Sequence, residues 1–226
     1  QVDEHDSNVG YETRIEAGIR AFKNHSRLNP DKKKVVGPIL SRPETALSKG
    51  KIVLFPNWDD ITGRFVAANL RRTGYDARLL EHSERSLKKS MVHNTGQCLP
   101  INIIAQEYMD YIIKYNLDPA NTILWMTESQ LTCNIRMYPQ YVKTLLEKHG
   151  NGMEKASVYS GELSHLEISV NTTYYAYFAY MLGGLLRRLA TRLRPYELTK
   201  GQTDKALKFS IQVIEQAFLG NETLDN

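Results

Sequence analysis

From Lys51 onward the chain alternates short apolar runs with longer amphipathic ones. Ile52-Val53-Leu54-Phe55 is wholly apolar and stopped by Pro56, the pattern of a strand covered on both faces. Asp59 or Asp60 can cap a following helix that carries Phe65, Val66, Asn69 and Leu70, and Gly74 closes it. Tyr75–Leu80, Thr122–Met126 and Ala156–Tyr159 read as three more strands, with helices at Pro100–Tyr115 and Pro139–His149 between them. Strands separated by helices of this length predict parallel βαβ units. Asn171–Leu193 and Thr203–Leu219 then form a long C-terminal helical segment. The expected fold is α/β, a Rossmann-like parallel sheet flanked by helices, over residues 50–226. Residues 1–49 read as an irregular segment broken by Pro30, Pro38 and Pro43. Val2–Gly10 is expected to fray, and a short helix is predicted at Tyr11–Asn24, with Ile15, Ile19 and Phe22 on one side.

The long helix carries Tyr174, Tyr177, Phe178, Met181, Leu182, Leu185, Leu186 and Leu189 at spacings of three and four, which predicts a core-facing stripe. Gly183 and Gly184 in mid-helix cost about 2 kcal/mol against two alanines. A close approach to another element is the simplest compensation.

Composition narrows the class. With 226 residues, 42% apolar and 24% charged, the chain can bury a core without staples, and two cysteines exclude a disulfide scaffold. No apolar run reaches the length of a membrane span and no signal peptide opens the chain, so the expectation is a cytoplasmic protein with no membrane partner. Gln1 at the start suggests a piece of something longer. A net charge of +4 is too mild to imply nucleic acid. The charge is concentrated instead: Arg187, Arg188, Arg192, Arg194, Lys200, Lys205 and Lys208 face only Glu197 and Asp204. This is either a solvated helical surface or a docking face for phosphate or an acidic partner.

The chemistry-bearing residues are few. Cys98, in Gln97-Cys98-Leu99-Pro100, stands at a helix start with Pro100 suited to the first helical position, and with Ile101, Ile104, Tyr108, Tyr111, Ile112 and Tyr115 behind it. The sulfur therefore sits near the positive end of a helix dipole, as suits a nucleophile or a metal ligand. Cys133 lies between the third strand and the next helix, where loops of an open α/β sheet bind ligands. Two thiols at two helix starts either share one crevice or are unrelated small residues. A zinc site completed by His93 lacks the usual ligand spacing. GxSxG, GxxxxGK(S/T) and GxGxxG are absent, the histidines are scattered and mostly superficial, and Asp59-Asp60 reads as a helix cap.

Three segments together resemble one family. Gln97-Cys98-Leu99-Pro100 is similar to the Glu-Cys-Leu-Pro motif of 2-hydroxyacyl-CoA dehydratase-like subunits. That motif also occurs in the fused activators of (R)-2-hydroxyglutaryl-CoA dehydratase, the CoA-substrate-specific enzyme activases. Cys133-Asn134-Ile135-Arg136-Met137-Tyr138-Pro139-Gln140-Tyr141 resembles their Gly-Pro-Cys-Arg-Phe-Gly-Gln-Tyr segment. Arg194-Pro195-Tyr196-Glu197, with Gly201, Thr203 and Asp204, resembles their Arg-Pro-Tyr-Glu…Gly…Thr-Asp stretch. Lys51–Arg72 is similar to the opening of that domain.

The resemblance implies ligation of a [4Fe–4S]-type cluster by Cys98 and Cys133, with low-potential electrons delivered by an actin-like ATPase module. This chain contains no ATP site, so that module would be another part of a longer polypeptide or a separate partner. The sequence departs from the family at Gln97, at Leu131-Thr132 and around Arg136. Two cysteines cannot complete a four-cysteine cubane, so further ligands must come from elsewhere in the full protein or from a second copy in a homodimer. The alternative is a cluster-free scaffold of the same fold that docks a partner through its C-terminal basic helices. Binding of CoA phosphates near Asn57–Thr62 ranks lower, since Asp59 and Asp60 repel anions.

Overall fold

The computed structural model describes residues 7–28, 47–94, 98–127, 134–161 and 165–221. Four strands, β1 (Ile52–Phe55), β2 (Asp76–Leu79), β3 (Thr122–Thr127) and β4 (Ser157–Gly161), form one sheet in the order β2-β1-β3-β4. Every pairing is parallel: Val53 stands beside Ala77 and Ile123, and Leu124 beside Val158. The chain is thus an α/β protein with an all-parallel sheet flanked by helices and a long C-terminal helical region.

Alternation along the strands sorts the core into two layers. Leu54, Leu124, Met126 and Val158 face α4 (Leu99–Lys114) and α5 (Tyr138–His149), meeting Ile104, Tyr108, Val142 and Leu146. Val53, Phe55, Ile123, Trp125 and Tyr159 face the other way. There they meet α2 (Asp60–Arg72), backed by α6 (Val170–Leu193) and α7 (Gln202–Leu219). A strand buried on both faces has no polar side to show, which is why these runs are apolar throughout. No described helix is long and apolar enough to cross a membrane.

The α2 cap forms as the sequence predicts, with Thr62 N–H donating to Asp59 Oδ1 at 2.9 Å. Asn69, fully buried, donates its amide to the Thr172 carbonyl at 2.9 Å and so ties α2 to α6. Glu215 of α7 accepts from Arg64 at 2.8 Å and from Arg71 at 2.9 Å, two charge-assisted clasps that fix α7 on α2. The Arg-Pro-Tyr-Glu stretch has a structural task. The Glu197 carboxylate accepts from the Gly201 and Thr203 N–H groups at 2.7 and 3.0 Å, which hold its pKa down and cap α7. Arg194 pairs with Asp204 at 2.9 Å across the same corner.

Several expectations need correction. The apolar stripe of α6 is not core: Tyr174, Tyr177, Phe178, Met181, Leu185 and Leu189 are exposed, while Leu182 and Leu186 are partly buried. The helix buries Thr172, Ala176, Ala179, Gly183 and Ala190 instead, because small side chains let it lie close on α2. Only one glycine of the pair serves that approach. A Cβ on Gly183 would stand 2.3 Å from Thr62 Oγ1, whereas one on Gly184 would meet nothing within 4 Å.

The N-terminal helix, α1 (Asn8–Leu28), is longer than Tyr11–Asn24, since Ser7 Oγ accepts from Gly10 N–H and starts it early, within the stretch expected to fray. A helix absent from the sequence reading, α3 (Glu84–Ser90), is capped by Ser83, whose Oγ accepts from Ser86 N–H at 2.9 Å. Pro100 is the second rather than the first residue of α4, and Tyr115, at its end, is exposed and rests on Tyr111 with centroids 4.5 Å apart.

Candidate functional site

Each helix between parallel strands runs back toward the start of the next strand, so its N-terminus lies at the sheet's C-terminal edge. The strand order reverses between β1 and β3, and at such a switch point an open α/β sheet leaves a crevice. Three groups of chemically capable residues gather along this edge.

The first is Cys98. It stands as the exposed N-cap of α4, and its side chain makes no capping hydrogen bond. Cys133 lies outside the described residues. The helices that follow the two cysteines, α4 and α5, pack side by side through one core layer, with Ile135 against it. Tyr141 of α5 donates its hydroxyl to the His93 carbonyl at 3.0 Å, tying the first turns of α5 to the turn that leads into Cys98. Among the described residues no group of three or more His, Cys, Asp or Glu could hold a metal ion. Cys98 is a soft, accessible donor of the kind that ligates iron. This chain nonetheless offers a cluster two cysteines at most.

The second group pairs an exposed histidine with a buried carboxyl group. His82, after β2, donates Nε2–H to the Asn57 carbonyl at 2.6 Å, and its Nδ1 lies 2.6 Å from Glu107 Oε1. A carbonyl only accepts, so Nε2 carries a proton and one further proton is shared between Nδ1 and the carboxylate. The Glu107 side chain is 2% exposed, and its Oε2 has no hydrogen-bond partner. Burial raises the Glu107 pKa, and the contact with His82 offsets this only in part. Burial works against the charge on His82, yet the hydrogen bond and charge of Glu107, with the Asn57 carbonyl, outweigh it and raise its pKa.

Both groups therefore hold protons more tightly folded than unfolded. Their contribution to stability is present below the ordinary values of 4.5 and 6.5 and fades as pH climbs through the elevated folded values. Replacing His82 leaves Glu107 buried beside no base. His82→Gln removes the partner that holds this proton, so it should cost about 1 kcal/mol near pH 6, discounted because the His82 side chain is 60% exposed, and clearly less near pH 8, where the contribution of the raised His82 pKa has faded. Urea unfolding at the two pH values measures this, and a penalty equal at both would refute the shared proton.

The third is the switch-point crevice itself, a cavity of about 80 Å³ whose walls include Phe55, Trp58, Thr62, Trp125, His165 and Tyr180. His165 is 2% exposed, has φ of 56° and lies against Trp125 with ring centroids 4.9 Å apart. Neither ring nitrogen has a hydrogen-bond partner, and burial lowers the His165 pKa against the opposing charge of Glu167. A neutral imidazole there presents one donor and one acceptor to whatever fills the crevice. Asp59, at the rim, pairs with Arg187 and caps α2, so this helix start is no anion site.

Sequence reasoning placed Cys98 at its helix start but missed His82, Glu107 and His165. The first two are 25 residues apart and meet only through the crossover between β2 and α4. His165 carries no periodic signal. Residues 128–133, including Leu131-Thr132 and Cys133, lie outside the described residues. No protein-family profile, curated protein or solved structure is significantly similar to the chain.

Proposed function

We propose that this chain is an electron-accepting iron–sulfur module of the 2-hydroxyacyl-CoA dehydratase activator type. In this reading Cys98 and Cys133 supply two cluster ligands at the C-terminal edge of the sheet, and an actin-like ATPase module delivers the electrons. The observation that carries the reading is the bond from Tyr141 to the His93 carbonyl, because it ties together the stretches that lead into Cys98 and out of Cys133. The parallel sheet agrees with the fold that the resemblance implies, and the exposed thiol at the head of α4 suits a ligand open to a cluster shared with other protein. The remaining ligands come from a second copy or from the rest of a longer polypeptide.

Anaerobic reconstitution with iron and sulfide tests this. The protein should take up both and develop broad visible absorption, and Cys98→Ala should lose it. Because Cys98 is exposed and caps nothing with its side chain, that variant should keep its stability within about 0.5 kcal/mol. Equal iron and sulfide uptake by wild type and variant, or none by the full-length protein, would sink the proposal.

A cluster-free docking module is the second reading. It draws on Arg188 and Arg192, exposed on α6 and in no ion pair among the described residues. Arg187 and Arg194 are less suited to it, being engaged by Asp59 and Asp204. Retained binding of the ATPase module by Cys98→Ala, lost in Arg188→Glu, would favour this reading.

A further inference from the structure

Two apolar helix faces of this chain are exposed and are covered by none of the described residues. α1 has no buried residue, and Ile15, Ile19 and Phe22, spaced four and three apart, are exposed on one side. On α6, Tyr174, Phe178, Met181 and Leu185 follow at four, three and four, flanked by Tyr177 and Leu189, all about half exposed or more. At roughly half of the 150–250 Å² an aromatic side chain buries, the three rings alone leave on the order of 300 Å² in water. The aliphatic residues bring the patch to or beyond the about 300–600 Å² typical of the largest on a monomer.

We infer that these two faces are halves of one interface: α1 of one copy lies along α6 of a second copy, and reciprocally, in a two-fold dimer. Length and charge argue for this occupant. α1, with 21 residues, is about 31 Å long, against about 36 Å for the 24 residues of α6, so one α1 covers the stripe. From Val170 to Leu186, α6 has no charged residue; Arg188 and Arg192 then continue the stripe at its C-terminal end. The first half of α1 carries Glu12 and Glu16 against Arg14, and the second half Arg20, Lys23 and Arg27 with no acid; Glu16 also lies 3.7 Å from Arg20, an exposed pair that a stronger partner can replace.

Only an antiparallel arrangement matches these charges. It sets Glu12 and Glu16 beside Arg188 and Arg192, and the bases of α1 over Tyr174 and Tyr177, where cation–π contact is favourable. A parallel one sets base on base. Docking in pairs buries both apolar faces of both chains, and such a contact is self-complementary, as a two-fold interface must be. This inference does not rest on the cysteines.

Sedimentation velocity of the full chain tests it. Wild type should form dimers. Phe22→Glu on α1 and Phe178→Glu on α6 should each weaken dimerisation at least tenfold while keeping the native circular dichroism, since both residues are exposed. Mixing those two variants should restore a heterodimer, because one intact α1–α6 contact remains. Glu16→Arg should weaken the dimer, and adding Arg192→Glu should recover it. A wild-type chain that stays monomeric would overturn the proposal. So would a dimer that survives Phe22→Glu but not Phe178→Glu, which would signal α6 pairing with α6.

Discussion

Phe65→Ala should lose about 3–5 kcal/mol, the range for emptying an aromatic from a closed core. Phe65 is wholly buried on α2, between the sheet and α7, and stacks on Phe218 with ring centroids 5.3 Å apart and planes 12° from parallel. Its loss leaves a cavity walled by three elements that cannot all move inward together. The α7 clasp makes the effect sharper: Glu215 holds α7 from Arg64 and Arg71, so the helix cannot sag into the space without breaking charge-assisted bonds. Thermal unfolding by circular dichroism reads the change. A loss under about 1 kcal/mol would mean that α7 does not cover α2 as described.

The second large effect comes from adding atoms. Gly183→Leu should cost about 3 kcal/mol, at the upper end of overpacking, because α6 rests on α2 at this point. The Cβ alone would lie 2.3 Å from Thr62 Oγ1 and 3.3 Å from Thr62 Cα. The hydroxyl can rotate away, but the backbone cannot, and a leucine brings three carbons more. Gly184→Ala is the internal comparison, since its Cβ meets nothing and the helix gains up to about 1 kcal/mol. Adjacent glycines with opposite signs of effect would confirm how α6 is seated; equal effects would contradict it.

Strands were legible from sequence because burial on both faces removes every alternative to an apolar run, as at Ile52–Phe55 and Thr122–Thr127. Helix existence was legible too, but which side faces inward was not. On α6 the large residues carry the periodicity and the small ones, Ala176, Ala179 and Gly183, carry the packing. Reading the bulky stripe as core follows the usual energetics of burial. It fails here because close backbone approach, signalled by glycine among alanines, decides the orientation. Cys98 was legible by its place before Leu99-Pro100. The His82–Glu107 pair was not, since a contact across 25 residues leaves no spacing to detect.

The connection order of the two layers has a consequence for biosynthesis. Residues through Gly161 complete the sheet and the layer made by α4 and α5, while the opposite layer has only α2 until α6 and α7 emerge. A ribosome adding about 5–20 residues each second then holds an uncovered side of this domain for several seconds. During that interval α2 shows Phe65 and its neighbours to water, a surface on which chaperones and stray nascent chains compete with α6 and α7.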